Sequence, residues 1–353
     1  MLLTSLKSYN RSQFIKDVTA GIIVAIIALP LSIALALASG VGPEAGIFTA
    51  IVAGFVISAL GGSSVQIAGP TAAFATIVAG IVATDGMDGL VIATILAGIF
   101  LVLMGLCHFG SLIKFIPFTI TTGFTSGIAV TIVIGQLKDF FGLTYPDGVK
   151  PIETTEKFRA VVENFSTINI DALIVGAVSL AVLIIAPYIF KRIPGSLIAV
   201  IIGILMVQFL PLKVSTIGNL YTISNSLPSF HLPAVSFEVV QNALPNAFTI
   251  AVLAAIESLL SCVVADGMIN GKHRSDMELV AQGAGNIASA LFGGIPATGA
   301  IARTAANIKN GGRTPIAGIV HSITRVIVLV VLLPYAGMIP RPSIAAILFI
   351  GAY

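Results

Sequence analysis

Two short runs of the chain share a pattern of glycine, proline and small residues that ordinary membrane helices lack. Each begins with a glycine pair, continues through a polar or proline-containing stretch and ends in small residues typical of a short helix; the runs span residues 61–73 and 293–305. Counted from the second glycine of each pair, Thr71 and Arg303 occupy the same place. Paired, interrupted segments of this kind indicate a binding site formed by two half-helices. For either run alone, a loop that leads into an ordinary small helix is the alternative.

A negatively charged ligand is what such a site would bind. Free backbone N–H groups and the positive dipole end of a helix N-terminus attract anions, and two facing N-termini add their fields. Thr71 can donate its hydroxyl, Ala72 lets the backbone come close, and Arg303 adds a permanent cation. The alternative for Arg303 is a side chain that reaches a headgroup surface, as long basic side chains commonly do.

One carboxylate, Glu257, lies at the centre of the apolar run 251–261. An ionisable group in the middle of a span costs about 3 kcal/mol or more, so it normally faces a cavity or a partner and is functional. The alternative is a carboxylate paired with Arg303 or Arg325 for structure alone. Arg325 lies in an apolar run of its own, where either a headgroup surface or an acidic partner would suit it.

The elements that hold these residues must be membrane helices. Of the 353 residues, 57% are hydrophobic and 9% are charged, and the mean hydropathy is +1.06; soluble domains carry roughly 25% charged residues. A soluble fold is therefore excluded. The net charge of +3 is small and the basic residues are scattered between apolar runs, which argues against nucleic-acid binding.

Motifs for enzymatic or ATP-driven chemistry are absent from the sequence. It contains no Walker-type phosphate loop, no dinucleotide fingerprint and no hydrolase signature. Cys107 and Cys262 fall inside or beside apolar runs, so they suggest neither a disulfide framework nor a zinc site. The four histidines share no spacing that would form a metal site. We predict a protein that is not an enzyme and that needs no cofactor or metal.

Several apolar runs approach the roughly 20 residues that cross a bilayer. The clear spans are 20–39, 90–106, 172–190, 247–264 and 314–333. Shorter or glycine-interrupted runs predict further spans at 47–60, 119–134, 197–210 and 279–292. A last run, from residue 344 to the end, is too short to cross. Polar segments 138–170 and 212–242 are typical of loops on one side of the membrane.

Lysine and arginine in short loops favour a cytoplasmic N-terminus, because these residues resist translocation. With that orientation, the basic residues inside are Lys7, Arg11, Lys16, Lys114, Lys191, Arg192, Lys272, Arg274, Lys309 and Arg313. Those outside fall mostly in the two long loops and are Lys138, Lys150, Lys157, Arg159, Lys213 and Arg341. We predict a multi-pass protein of the cell membrane.

The chain resembles the sulfate permease family, whose animal members form solute carrier family 26. The resemblance covers the whole chain and rests on residues 28–36, 43–48 and 68–72 and on Arg303 together with 312–314. It implies an all-α polytopic membrane fold with two inverted sets of seven segments, in which a core domain moves against a gate domain. Homodimers and a cytoplasmic regulatory STAS domain are usual in the family.

Mapped by this resemblance, residues 1–353 form one transmembrane domain. The core comprises about 17–107 and 243–334, and the gate comprises about 110–212 and a partial 338–353. The second repeat is then truncated and the STAS domain is missing, so we expect these residues to bind substrate without transporting it. The implied substrate-binding residues are Leu31, Leu35, Thr71, Ala72, Ala302 and Arg303, and the implied coupling-ion residues are Glu257 and Ser261.

Departures from the family pattern limit two of these inferences. Animal relatives often have a glutamine and an aromatic residue where Leu31 and Leu35 stand. Bicarbonate-transporting relatives form a sodium site with an aspartate where Glu257 stands and a threonine where Ile301 stands. These departures weaken sodium coupling as an inference from the resemblance, and we predict instead that Glu257 takes up a proton as the coupling ion.

The resulting functional hypothesis is a secondary active transporter of small anions, working by proton-coupled symport or by anion exchange. Sulfate, bicarbonate, chloride and dicarboxylates all suit the predicted site. The implied partners are the anion, a proton, the lipid bilayer and a second copy of the chain. Two alternatives are an anion channel on the same fold and a non-transporting membrane scaffold. Glu257 favours the coupled transporter, since a channel has no need of a titratable carboxylate beside its anion.

Overall fold

The computed structural model describes residues 1–6, 9–111, 118–146, 148, 151–190, 194–221, 227–233 and 235–352. Its first helices are α1 (Leu2–Leu6), α2 (Arg11–Ile27), α3 (Leu29–Ala38), α4 (Pro43–Leu60), α5 (Ala75–Leu106), α6 (Phe118–Phe141) and α7 (Thr154–Glu163). The second half contains α8 (Ile170–Ile189), α9 (Gly195–Phe209), α10 (Phe237–Ile269), α11 (Ser275–Leu291), α12 (Ile301–Lys309), α13 (Ile316–Ala336) and α14 (Arg341–Ala352). There are also two short strands, β1 (Ala68–Gly69) and β2 (Thr298–Gly299), and 3₁₀ turns at Ala72–Phe74, Phe165–Thr167 and Ile217–Asn219.

The predicted membrane spans are helical. By length and hydropathy, α4, α8, α10 and the segment Ala72–Leu106 are able to cross a membrane, and α2 with α3 qualifies as a bent pair. The helices α9 and α14 and the part Ile316–Val331 of α13 are apolar but shorter. The mainly helical, polytopic fold is therefore confirmed. Lys7, Lys114, Lys150, Lys191, Arg192 and Tyr353 lie outside the described residues.

Two long helical segments are interrupted, and one of them is a predicted span. The predicted span 20–39 bends by 41° between α2 and α3. Pro30 lies one residue into α3, where it has no N–H to give to Ile26 and its ring crowds that carbonyl. The long helix α5 contains a non-helical residue, Gly86, with φ 69° and ψ −168°. A side chain would strain that backbone, so glycine permits a half-helix at 75–85 to turn into the predicted span 90–106.

The helices pack as two groups. In the first group, α5 packs against α10 and α11, α4 packs against α11 and α13, and α13 also packs against α2. In the second group, α14 packs against α6 and α8, and α8 packs against α9. The bent helix α3 contacts both groups, through α4 on one side and α14 on the other.

The two interrupted runs meet through their strands. β1 and β2 pair antiparallel, with Ala68 opposite Gly299 and Gly69 opposite Thr298. The strand positions change which residues of the two runs correspond to each other, compared with the correspondence counted from the glycine pairs. The step from the second glycine of the pair to the strand glycine is seven residues in the first run and five in the second. Structurally, Thr71 therefore corresponds to Ile301, and Arg303 lies two residues further along its helix.

The two polar segments are more structured than the predicted loops. Segment 138–170 contains the end of α6, the whole of α7 and a 3₁₀ turn at Phe165–Thr167. Glu156 starts α7 by accepting hydrogen bonds from the N–H groups of Ile152 and Glu153. Segment 212–242 contains the start of α10, where the Ser236 side chain accepts a hydrogen bond from the Val239 N–H. The last helix, α14, begins at Arg341 and so is longer than the predicted run.

Candidate anion-binding site

The crossing of β1 and β2 brings two helix starts together. Thr71 has extended backbone angles and precedes the 3₁₀ turn Ala72–Phe74, which leads into α5. On the other side, Ala300 precedes α12 and donates its N–H to the Ile67 carbonyl over 3.1 Å. The Ile67 N–H in turn donates to Thr304 Oγ1 over 3.1 Å. These bonds hold the two interrupted runs side by side, as their sequence pattern predicts.

Arg303 lies inside this junction. Its guanidinium Nη2 donates a 2.8 Å hydrogen bond to the Pro70 carbonyl, and only 4% of the residue is exposed. Its Nε and Nη1 atoms are buried and have no hydrogen-bond partner in the protein. This burial rules out the headgroup alternative for Arg303. Two N–H donors of a buried cation are thereby available to a ligand, and leaving them unmet would be costly.

Gly69 makes room for this guanidinium. A Cβ atom built at Gly69 would lie 2.2 Å from Arg303 Nη1, and 3.7 Å from the Cβ of Ala50. A real side chain at position 69 would therefore force the guanidinium to move. Neither Gly69 nor the Pro70 carbonyl was predicted as part of the site, although both belong to the proline-containing run that pointed to it.

Glu257 is joined to the first helix start. The Thr71 hydroxyl donates a 2.8 Å hydrogen bond to Glu257 Oε2, and the Glu257 side chain is half-buried. The ion pairs of the described residues do not include one between Glu257 and either Arg303 or Arg325. Among the described residues Glu257 therefore makes no direct ion pair with an arginine, and its functional role stays a prediction.

Two further polar side chains connect α10 to the second run by hydrogen bonds. Ser261 Oγ lies 3.4 Å from Thr304 Oγ1, so Ser261 contacts α12. The Thr298 hydroxyl donates to the Ala254 carbonyl over 3.2 Å. Ser261 is thus near the junction and, through Thr304, linked to Ile67, while its hydrogen bond does not reach Glu257. Its place among the coupling residues stays a prediction.

The other residues predicted to bind substrate lie around the junction in different environments. Leu35 is buried in an apolar cluster between α3 and the second helix group, and Leu31 and Ala72 pack against that cluster. Ala302 is exposed at the first turn of α12. A cavity of about 360 Å³ reaches Ala72 from between the helix groups, and it is lined by Ala72, Ala73, Thr76, Ile77, Gly123, Gly127, Ile128, Thr131, Thr154 and Leu253.

Buried amides hold the extended backbone of both runs. Asn286 on α11 exchanges two 2.8 Å hydrogen bonds with the backbone of Ala297. Asn307 on α12 donates to the Val65 carbonyl over 2.8 Å. Their role was not predicted, although polar residues inside apolar helices are a visible signal. Because extended backbone in a membrane interior lacks helical hydrogen bonds, such side chains satisfy it.

Two buried carboxylates hold backbone at the start of the first run and after helix α12. Glu278 Oε2 accepts hydrogen bonds from the N–H groups of Gly62 and Ser63, at 2.9 Å and 3.1 Å. Asp17 Oδ1 accepts a 2.8 Å bond from the Arg313 N–H, and Asp17 Oδ2 accepts a 2.6 Å bond from the Thr314 hydroxyl. Both carboxylates are fully buried. We assign them to holding backbone in place rather than to the ligand.

Arg325 meets neither of the environments proposed for it from the sequence. It is fully buried, so it does not reach a headgroup surface. Within the part of the chain that the structure describes, its one hydrogen bond goes from Nη1 to Ser32 Oγ over 3.2 Å, and its ion pairs include no acidic partner.

Comparison with known proteins identifies the family to which this architecture belongs. The model of the sulfate permease family matches residues 14–353. A Bacillus subtilis (strain 168) protein named "Putative sulfate transporter YvdB" is 43% identical over 353 residues, covering 98% of this chain and 66% of that protein. The bicarbonate transporter BicA of Picosynechococcus sp. (strain ATCC 27264 / PCC 7002 / PR-6) is 33% identical over 344 residues, covering 94% and 60%. The chain thus spans about two thirds or less of these relatives.

Solved structures give the same result for the fold. The transmembrane domain of a cyanobacterial bicarbonate transporter BicA has a TM-score of 0.88 and 29% identity, covering 98% of this chain and 88% of that one. The overall structure of SLC26A9 has a TM-score of 0.88 at 20% identity, covering 99% and 59%, and it supports the fold alone. The chain is a multi-pass membrane protein that belongs to the sulfate permease family, whose named relatives transport anions.

Proposed function

We propose that the chain is the membrane domain of a secondary active transporter of small anions such as sulfate, bicarbonate, chloride or a dicarboxylate. The observation that carries this proposal is the buried Arg303 with two unmet donors, beside the helix start at Thr71. A negative ligand between the two helix starts would meet those donors and two dipole ends. The names of the relatives, sulfate and bicarbonate transporters, agree with this substrate class.

We further propose that the two packed helix groups are the core and gate of an alternating-access transporter, with the core at about 17–107 and 243–334 and the gate at about 110–212 and 338–353. The cavity beside Ala72 supports this division, because it lies between residues of α5 and residues of α6. Rocking of one group against the other would open the site to each side in turn. Seven-plus-seven inverted symmetry and a homodimer belong to the same proposal.

Glu257 is the proposed coupling residue, and the proton is the proposed coupling ion. The Thr71 hydroxyl has a single proton, and in this structure it donates that proton to Glu257. The proton is therefore directed away from an incoming anion. A protonated Glu257 could donate to Thr71 Oγ1 instead, which would leave the Thr71 proton for the anion. Proton and anion would then favour each other's binding, and by reciprocity acidic pH would tighten anion binding.

The decisive experiment measures binding and transport separately. Purified protein is titrated with radiolabelled sulfate, bicarbonate and chloride between about pH 5 and 8, the range in which a perturbed carboxylate can titrate. A longer protein that contains this chain is tested in liposomes for uptake in sodium-free buffer with an inward proton gradient. We expect affinity to rise as pH falls, and Glu257→Gln to remove both the pH dependence and proton-driven uptake. Glu163→Gln, on the exposed side of α7, is the matched control.

Each alternative has its own outcome in this experiment. An anion channel would give uptake driven by voltage and insensitive to the proton gradient. A membrane scaffold would give no saturable binding of any of the anions tested. An absolute dependence on sodium, or proton-driven uptake that survives Glu257→Gln, would show that the coupling ion or its residue has been misassigned.

A cytoplasmic N-terminus in the cell membrane is part of the same proposal. It puts the end of α5, and with it the free and exposed Cys107, on the cytoplasmic side. A membrane-impermeant thiol reagent added to intact cells should leave Cys107 unlabelled and should label it after permeabilisation. Labelling in intact cells would reverse the orientation.

A further inference from the structure

A second group of nitrogen-bearing side chains lies on α13, outside the site described above. His321 and Arg325 are four residues apart, which places them on one face of the helix. Both are fully buried. The helix packs against α2 and α4, so these two side chains belong to the interior of the first helix group.

These side chains have more hydrogen-bonding atoms than partners. Arg325 Nη1 donates to Ser32 Oγ, and Ser32 Oγ itself donates to the Ala28 carbonyl over 2.9 Å. Arg325 Nε and Nη2 and both ring nitrogens of His321 are buried with no protein partner. Native interiors rarely leave even one such atom unmet, and groups of them indicate a bound water or ion.

The acidic residues on the packed helices are engaged elsewhere. Asp17 of α2 is bonded to Thr314, and Arg325 lies eleven residues further along, or ~16 Å at the rise of a helix. Glu44 of α4 folds back over its own turn, where a Cβ built at Gly42 would lie 2.3 Å from Glu44 Oε1. Neither carboxylate balances the buried charge of Arg325.

A second arginine also acts on this group. Arg303 interacts electrostatically with both His321 and Arg325. The interior of the first helix group therefore contains two guanidinium groups and an imidazole, and of these Arg303 interacts with the half-buried carboxylate of Glu257. A buried excess of positive charge is costly unless a counter-ion is present.

Backbone separates this group from the first site. A Cβ built at Gly54 would lie 4.0 Å from His321 Nδ1 and 3.4 Å from the Ala68 carbonyl of β1. The neighbouring Ser322 hydroxyl donates to the Ala50 carbonyl over 3.3 Å. His321 is therefore a neighbour of Gly54 in α4, which adjoins Ala68 of β1, while Arg303 packs over the next strand residue, Gly69.

We propose a second anion-binding site between Arg325 and His321, behind β1, for a small inorganic monoanion of the size of chloride. The donors are the free N–H groups of Arg325 and a ring N–H of His321. One negative charge balances the one permanent charge of Arg325, whereas a dianion would leave a charge unpaired in the interior. A water molecule could accept the same hydrogen bonds but would leave the cation without a counter-charge. The bound monoanion would also screen Arg325 from Arg303.

Bromide is the probe for this site, because its anomalous scattering locates it directly. Crystals of the wild-type protein and of Arg303→Gln are grown in sodium bromide. We expect an anomalous peak within hydrogen-bonding distance of Arg325 and His321 in both. A peak at Arg303 alone, or an adventitious ion only at the surface, would overturn the proposal. Since the wild-type crystal decides it, the outcome does not depend on whether a variant at Arg325 folds.

Binding stoichiometry tests the proposal in solution. Equilibrium dialysis with radiolabelled chloride should show one bound ion fewer in folded Arg325→Met than in wild type, with exposed Arg159→Gln as the matched control. Retention of every bound chloride in folded Arg325→Met would contradict the second site. If Arg303→Gln loses no ion while Arg325→Met loses one, the proposed transport site fails and the second site stands.

Discussion

The hydroxyl of Thr71 donates a 2.8 Å hydrogen bond to Glu257 Oε2, across 186 residues of sequence. The bond joins the start of the first half-helix to the one carboxylate in the middle of α10. The residue before Thr71, Pro70, accepts the hydrogen bond of Arg303 through its carbonyl. Two adjacent residues of one extended run therefore contact the acidic and the basic member of the candidate site.

The Thr71 hydroxyl should be needed for anion binding. Replacement of Thr71 by valine keeps the shape of the side chain but removes the donor, and we expect a loss of about 1 kcal/mol, or roughly fivefold in affinity. Thr71→Ser keeps the hydroxyl and is the matched control. Affinities of both purified variants for sulfate and bicarbonate are the measurement. Equal affinity in Thr71→Val and wild type would remove Thr71 from the site.

Glu278 should stabilise the protein without acting on the ligand. Glu278→Ala leaves the N–H groups of Gly62 and Ser63 without their acceptor, at about 1–3 kcal/mol for each unmet buried group. We expect a clearly lower unfolding temperature in detergent, with anion affinity at low temperature little changed. Glu163→Ala removes an exposed partner of Arg159 and should leave the unfolding temperature nearly unchanged. Similar unfolding temperatures for the two variants would contradict this role.

Much of the candidate site follows from local sequence signals. Glycine and proline mark interrupted helices wherever they occur, so the runs 61–73 and 293–305 stood out without a structure. Glu257 stood out because a carboxylate is costly in an apolar run. The helical spans were predicted from the length of the apolar runs, since about 20 apolar residues must cross the bilayer as a helix.

What the sequence could not predict depends on contacts between distant segments. Thr71 corresponds to Ile301 because the first run has two more residues than the second between its glycine pair and its strand glycine. A count from the glycine pairs does not take these two residues into account. The pairing of Thr71 with Glu257 required the packing of α10 against α5. Helix α7 was missed because its charged residues mask a short amphipathic pattern. The environment of Arg325 could not be foreseen, because burial without an acidic partner is unusual for arginine.

Tyr9, in the segment before α2, gives a prediction of pH dependence. Burial raises the pKa of Tyr9 to about 12 from 10.0, and its hydrogen bond to Asp17 adds to the shift. A raised pKa in the folded state stabilises the protonated form. This contribution is therefore complete below pH 10.0 and is lost as the pH rises through about 12.

The titration of Tyr9 can be followed by the ultraviolet absorbance of tyrosinate. The difference between wild type and Tyr9→Phe isolates this residue from the other tyrosines. We expect the difference to develop near pH 12, and Asp17→Asn to move it toward lower pH. A midpoint at pH 10 in the folded wild-type protein would show that the hydroxyl is not held by Asp17.

Gly69 should be as sensitive to substitution as Arg303 itself. In Gly69→Ala the new methyl carbon would stand 2.2 Å from Arg303 Nη1, far inside contact distance, so the guanidinium must leave its place beside the Pro70 carbonyl. We expect anion binding to weaken by about 1–3 kcal/mol, the range for a charge-assisted contact and the loss expected of Arg303→Ala. The double variant should then be little worse than either single one, because both remove the same interaction.

The control for this prediction is Gly267→Ala. Gly267 lies in α10 with open space around its Cβ position, so alanine there should leave binding unchanged and slightly favour the helix. Affinities are measured on folded protein, checked by gel filtration and thermal unfolding. Additive losses in Gly69→Ala and Arg303→Ala would mean that the glycine acts through something other than the guanidinium. Wild-type affinity in folded Gly69→Ala would mean that the anion does not bind where Arg303 now lies.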